Sequence, residues 1–260
     1  MHREGGGRLE RTGLTTSSSY VQFQSVEKQW PDGLLVLMYH SVASPSIWHS
    51  HRGLHVTPQL LARQLRELQA DSSVSFTTLG EWSQSRMGGR QVAITFDDAY
   101  RNLFTNGLPV LQRTGICAIT YVVASLIGQT NEWDAGSGAR REPLMDRAQL
   151  MEWTYAGQEI GSHGLSHRAL TSLTPEEARR EIADSKKILE DLSGRPVRHF
   201  CYPYGDWNEA VRDMVQEAGY ETATSTIAGI NNAKTDGHVL RRLLARHERP
   251  WLAALRIPSA

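Results

Sequence analysis

Short apolar runs alternate with longer stretches of helical periodicity along most of the chain. Leu34 to Tyr39 is a continuous apolar run, the pattern of a strand buried on both faces. Thr57-Pro58 then opens a helix, with Thr suited to the N-cap and Pro to the first turn, and Leu60, Leu61, Leu65 and Leu68 recur at helical spacing. The same reading predicts strands over Val74 to Leu79, Gln91 to Phe96, Cys117 to Ala124, Glu159 to Ser162, Val197 to Tyr202 and Glu221 to Ser225. Between them it predicts helices near Leu108 to Arg113, over Asp146 to Ala156, from Thr174-Pro175-Glu176-Glu177 to about Leu192, and over Asn208 to Glu217. Gly115, Gly157, Gly194 and Gly219 stand where those helices stop. Gly128 to Arg141 reads as a surface loop.

Strands alternating with helices imply a parallel sheet, and about seven such units predict an α/β fold, a deformed or incomplete (β/α) barrel in a single domain. Residues 31–260 are assigned to that domain and residues 1–30 to a polar lead-in. Several strands end in polar residues, and the C-terminal ends of parallel strands are where such folds place their chemistry.

Composition narrows the picture. The chain has 260 residues, with 28 basic and 28 acidic side chains and a formal net charge of zero. A general nucleic-acid binder needs a net basic face, so nucleic acid is excluded as a partner. No apolar run approaches the length of a membrane span, so no transmembrane segment is expected. Met1 to Gly13 lacks the apolar core of a signal peptide. A cytoplasmic location is therefore expected, or an extracytoplasmic one if the natural start lies further upstream. Cys117 and Cys201 are expected as buried free thiols. The oligomeric state is not encoded in any recognisable pattern.

Four clusters carry candidate chemistry. Thr95-Phe96-Asp97-Asp98 ends a strand, and adjacent carboxylates there point to opposite sides, which suits a division between binding a cation and acting as a base. A helix N-cap is the plainer explanation of the same residues. His163-Gly164-Leu165-Ser166-His167 places two imidazoles at i and i+4, which on one face of a helical turn can chelate a divalent metal. Phe200-Cys201-Tyr202-Pro203-Tyr204-Gly205 is a strand ending in a rigid turn whose backbone N–H groups could face an oxyanion. Tyr39-His40-Ser41 puts a histidine directly after the first strand, a candidate acid or base.

In order and spacing, these motifs resemble the polysaccharide deacetylase family, carbohydrate esterase family four, over about residues 34 to 245. The resemblance implies a deformed barrel that removes acetyl groups from N-acetylated sugars with a divalent metal, most often Zn2+, with Co2+ or Ni2+ compatible. It implies Asp98, His163 and His167 as metal ligands and Asp97 as the general base toward water. It further implies the backbone N–H of Tyr204 as an oxyanion donor, with Pro203 shaping that turn. Many members carry an Arg two residues before the third-motif Pro, where it pairs with the base; here that position is Cys201. Arg242, in a late Leu-x-Arg that recurs in part of the family, is the expected substitute. No late Leu-x-His is present, since His247 has the wrong Leu spacing. The N-terminal Tyr-His resembles the exopolysaccharide-type members, so His40 is expected to be the general acid. Gly164 stands where Thr or Ser is common. Among the aromatic residues Trp48, Trp133, Trp153, Tyr204 and Trp207, Trp207 is the favoured sugar-binding residue. The expected partner is a carbohydrate. Two other readings stay open: hydrolysis of another amide, of ureide or imide type, on the same site, and a glycan-binding protein with weak turnover.

Overall fold

The computed structural model describes residues 31–44, 52–85, 88–137 and 140–245. The lead-in, Trp48 and His247 lie outside the described residues. In chain order the strands and helices are β1 (Gly33–Tyr39), β2 (Ser41–Val42), β3 (His55–Val56), α1 (Pro58–Gln69), β4 (Val74–Phe76), α2 (Leu79–Ser85), β5 (Arg90–Phe96), α3 (Leu108–Thr114), β6 (Ala118–Val122) and α4 (Arg147–Tyr155). They continue with β7 (Glu159–Ser162), α5 (Pro175–Ser193), β8 (His199–Cys201), α6 (Glu209–Glu217), β9 (Thr222–Thr224) and β10 (Leu243–Leu244).

The helices start where their caps dictate. Thr57 accepts from Leu60 N–H at 3.1 Å ahead of Pro58. Thr174 and Glu177 form a reciprocal capping box ahead of α5, and Asp146 with Gln149 does the same for α4. Gly115 and Gly194 end α3 and α5 in the left-handed conformation.

One large parallel sheet runs β10-β1-β5-β6-β7-β8-β9, with β4 also paired to β5. Leu240 bridges Thr224 in parallel fashion, and Leu243 and Leu244 pair with Leu37 and Met38. The segment 240–244 therefore links the last regular strand to the first, and the sheet curls into an incomplete (β/α) barrel.

Two apolar layers result. Leu35, Leu37 and Tyr39 of β1, with Val92, Ile94 and Phe96 of β5, pack outward against the helices. Leu34, Val36, Ala93, Ile119, Tyr121, Cys201 and Leu240 face the interior together with Leu79 and Trp82. Thr95, Asp97 and Arg242 continue the inward-facing rows.

The strand expected over Val74 to Leu79 is shorter than the pattern suggested. It stops at Phe76, and α2 follows. The reason is a third capping box: Glu81 N–H donates to Thr78 Oγ1 at 3.1 Å and Thr78 N–H to Glu81 Oε2 at 2.9 Å. That turn lets Leu79 and Trp82 close the interior from the N-terminal ends of the strands. Of the two thiols, Cys201 is buried but Cys117 is only partly so, and neither is in a disulfide. No helix among the described residues is long and apolar enough to cross a membrane.

Candidate active site

β5 delivers Asp97 and Asp98 at its C-terminal end. Asp97 N–H donates to Tyr39 O at 2.9 Å, so the pairing of β5 with β1 runs to the edge of the site. Asp98 (φ 71°) and Ala99 (φ 52°) are then left-handed, which turns the second carboxylate away from the strand. Both acids are buried, at 3% and 4% exposure.

β7 delivers His163, whose Nδ1 lies 2.8 Å from the carbonyl of Cys201 on β8. A carbonyl only accepts, so Nδ1 carries a proton and Nε2 is the nitrogen that could meet a cation. The two imidazoles do not share a helical turn, contrary to the sequence expectation. Residues 163–169 form an irregular loop, with Gly164 at φ +76° and His167 at φ 61°. The loop folds back on itself, and the rings meet edge to face with centroids 4.8 Å apart.

Asp98 Oδ1 lies 3.5 Å from His163 Nε2 and 3.4 Å from His167 Nε2. The three ligand atoms fall within 4.8 Å of one another, a triangle that could hold a divalent metal. Two further facts fit such an ion. Asp98 Oδ1 is buried without a hydrogen-bond partner, and buried carboxylate oxygens are otherwise satisfied. Among the described residues, the guanidinium that bonds this pair of acids is that of Arg242, and it is committed to Asp97. Asp97, His163 and Cys201 form a second compact group. Arg242 already occupies it, donating to Asp97 and, from Nη2, to Cys201 Sγ at 3.1 Å.

Arg242 is fully buried. Its Nη1 donates to Asp97 Oδ1 at 2.6 Å and its Nη2 to Oδ2 at 2.8 Å, while Nη1 also reaches Thr95 Oγ1 and Nε donates to Ser225 O. Burial alone pushes the Asp97 carboxyl up, but Arg242 and then His40 outweigh it, and the acid sits well below its usual range. In Asp98 the same opposition between burial and His167 ends below the usual carboxylate value.

His40 stands across from this pair, with Nε2 3.7 Å from Asp97 Oδ2. Burial lowers its imidazole, more than the facing carboxylates raise it. Its segment is held from the side: Asn102 accepts from Val42 N–H and donates to Ser41 Oγ and Glu142 Oε2, and Glu142 Oε1 meets His55 Nε2 at 3.0 Å.

Pro203 is buried and starts a turn in which Tyr204 has φ 60°. The Tyr204 ring is 56% exposed and meets His167 edge to face at 4.6 Å. Trp133 stacks on the same imidazole with centroids 4.3 Å apart and planes inclined by 24°. Trp207, the aromatic favoured from the sequence, instead lies half-buried against Tyr202, at 6.4 Å between ring centroids. Trp153 is a core residue that donates to Glu159 O. Trp133 could have been favoured only by knowing that its loop folds over the second imidazole.

All four non-glycine residues with positive φ among the described residues, Asp98, Ala99, His167 and Tyr204, cluster here. Each costs on the order of 1–2 kcal/mol against an ordinary conformation. Strain gathered at one place marks a site whose geometry is imposed by its surroundings.

A buried, ionised acid beside a cation-sized carboxylate–imidazole triangle is equipped to activate water. The class this defines is that of hydrolases that act through an activated water. Comparison with known proteins makes it specific. Residues 84–223 match the family model described as polysaccharide deacetylase, more than half of the chain, and the chain belongs to the polysaccharide deacetylase family. It is 25% identical over 222 residues to YxkH of Bacillus subtilis (strain 168), provisionally named a polysaccharide deacetylase, covering 84% of this chain and 73% of that one. It is 23% identical to the poly-beta-1,6-N-acetyl-D-glucosamine N-deacetylase of Escherichia coli (strain K12), covering 85% of this chain but 38% of that longer one. Among solved structures, the Streptococcus pyogenes deacetylase PplD in complex with acetate superposes with a TM-score of 0.75 at 22% identity, over 88% of this chain and all of that one. At that identity the likeness speaks to the fold.

Proposed function

We propose that the protein removes N-acetyl groups from a glycan containing N-acetylhexosamine, releasing acetate and a free amine. The observation that carries this reading is the two-point contact of Arg242 on Asp97, set directly beside the Asp98, His163 and His167 triangle. It restores, from the far end of the sheet, the arginine–base pair that Cys201 does not supply.

Asp98, His163 and His167 are proposed to hold a divalent cation, Zn2+ first, with Co2+ and Ni2+ also suited to one carboxylate and two imidazoles. When bound, such an ion supplies acidity for water and charge stabilisation for an oxyanion. The remaining work falls to this chain's own groups. Asp97 Oδ2, kept ionised by Arg242, takes the proton from the water that attacks the acetamide carbon. The backbone N–H of Tyr204 donates to the developing oxyanion. The leaving sugar nitrogen needs a proton before it can depart, and His40 Nε2, on the Asp97 side of the site, delivers it. Asp97 Oδ2, which receives the proton of the water, lies 3.7 Å from His40 Nε2 and is the nearest source of the proton that His40 passes to the leaving nitrogen.

Trp133 and Tyr204 flank His167 and form an aromatic wall suited to a sugar ring, a role better placed here than on Trp207. The acid supplied from the first strand fits an exopolysaccharide-type substrate, and the name of the E. coli relative points the same way.

The test combines metal analysis with acetate release from chito-oligosaccharides and from β-1,6-linked N-acetylglucosamine oligomers. Bound metal with acetate from either supports the proposal, and a preference for the second supports the exopolysaccharide assignment. Bound metal with no acetate from any N-acetylated glycan favours another amide as substrate. Absence of metal in protein never exposed to chelator favours a glycan-binding role.

A further inference from the structure

α5 buries one face against the sheet: Ala178, Glu181, Ile182, Ser185, Leu189 and Leu192. Glu181 is the anomaly in that set. It is a carboxylate with 5% exposure on a helix whose other acidic residues reach solvent or cap its start, and buried acids are rare unless paired. Its partners are all in the loop that carries the two imidazoles. Leu165 N–H donates to Oε2 at 2.9 Å and Ser166 N–H to the same oxygen at 2.8 Å, while Ser166 Oγ–H donates to Oε1. Gly164 serves this turn by its conformation: a φ of +76° disfavours any side chain, although a Cβ there would be in ordinary contact with Glu181 Oε2 at 3.5 Å.

The loop is gripped from the other side as well. Ala124 N–H donates to Gly164 O at 3.1 Å, and Ser125 N–H to Leu165 O at 2.9 Å. One turn further along α5, Ser185 meets Ser162 Oγ at 2.8 Å, and Ser162 Oγ accepts from Gly164 N–H. The left-handed His167 immediately follows the residues that Glu181 holds. Without that carboxylate, two consecutive part-buried N–H groups would lose their acceptor in the segment that sets the distance between the two rings.

We infer that Glu181 is a positioning residue for the metal site: its carboxylate folds the 164–167 loop so that His167 Nε2 stands beside Asp98 and His163. The inference rests on the metal-binding reading above. Glu181 touches neither substrate nor cation, and its effect is exerted through backbone.

The test measures zinc affinity of chelator-stripped protein by competition with a metallochromic dye, alongside melting of the metal-free form. Glu181→Ala is expected to weaken zinc binding roughly ten- to hundredfold, the range for residues that orient ligands. Glu181→Gln, which keeps one acceptor oxygen, is expected to fall between Glu181→Ala and wild type. Ile182→Val, a packing change on the same helix face, is expected to lower the melting temperature and leave zinc affinity unchanged. In the cobalt-substituted protein, Glu181→Ala should also alter the visible absorption of the ion. Zinc affinity of folded Glu181→Ala within about threefold of wild type would overturn the inference and reduce Glu181 to a structural residue. If Glu181→Ala does not fold, Ser166→Ala removes one of the three contacts, and unchanged affinity there, together with unchanged affinity in Glu181→Gln, overturns it equally. Wild-type protein that binds no zinc, cobalt or nickel would instead sink the metal reading itself.

Discussion

Arg242 and Asp97 are 145 residues apart in sequence and meet through two hydrogen bonds of 2.6 and 2.8 Å in the buried interior. Removing one partner of such a pair leaves an uncompensated charge. Arg242→Met is therefore expected to destabilise the protein by about 3–5 kcal/mol, measurable by urea unfolding. Arg242→Lys keeps the charge but loses the planar two-point contact, and its rate of acetate release should fall well below wild type. Wild-type rates in Arg242→Lys would show that charge alone is needed.

Asp97→Asn preserves the shape of the base but not its proton affinity. Its kcat is expected to drop by about 10²–10⁴-fold, while its zinc content stays at the wild-type level. Loss of zinc along with rate would place Asp97 among the ligands instead.

His40→Ala is expected to bind zinc normally and lose about 10²–10⁴-fold in kcat, with a smaller loss on substrates whose leaving amine is less basic. An unchanged rate with intact metal would remove His40 from the mechanism.

Trp133→Ala should act on binding more than on chemistry. Losing one stacking partner is worth about 1 kcal/mol, roughly a fivefold rise in KM, with kcat little altered. Trp207→Phe, in contact with Tyr202 rather than the imidazoles, should leave KM where it was.

A pH effect arises far from these groups, at the N-terminal end of β8. Burial first, then Arg198 and Lys186, push His199 down from 6.5 to about 3, against the pull of Glu159 3.7 Å away. The unfolded chain takes up this proton near pH 6.5 and the folded one does not, so stability falls as pH drops through that interval. The slope approaches about 1.4 kcal/mol per pH unit for this one group. Urea midpoints measured from pH 7 to pH 4 should decline less steeply in His199→Gln; parallel declines would remove His199 as the cause.

Strand ends and helix caps were legible because they depend on local chemistry. Asp97-Asp98 closes an apolar run, and Thr57, Thr174 and Asn208 announce their helices with side chains that find N–H groups three residues on. What needed the structure was set by non-local contacts or by backbone conformation. The histidine spacing suggested a helix because i,i+4 is a helical distance, yet Gly164 and His167 take positive φ and the loop closes around Glu181. Glu181 itself reads as an ordinary solvated position on a charged helix. Trp133 sits in a stretch with the composition of a surface loop, and only its stacking on His167 gives it a role. Arg242 as a partner for Asp97 was open to inference from its late Leu-x-Arg setting, and the pairing of Leu243 with Leu37 is the long-range contact that brings it there.

The late position of β10 in the chain has a consequence for synthesis. Both aspartates and both imidazoles leave the ribosome well before Arg242 is made. At roughly 5–20 residues per second, the nascent chain spends seconds with Asp97 in place and no guanidinium to meet it. A lone carboxylate resists being sealed away from water, so the barrel interior should stay hydrated until 240–244 docks. Closing the sheet and fixing the charge of its acid are then one event, and a chain translated only as far as β9 should possess Asp98, His163 and His167 yet lack the guanidinium that meets Asp97.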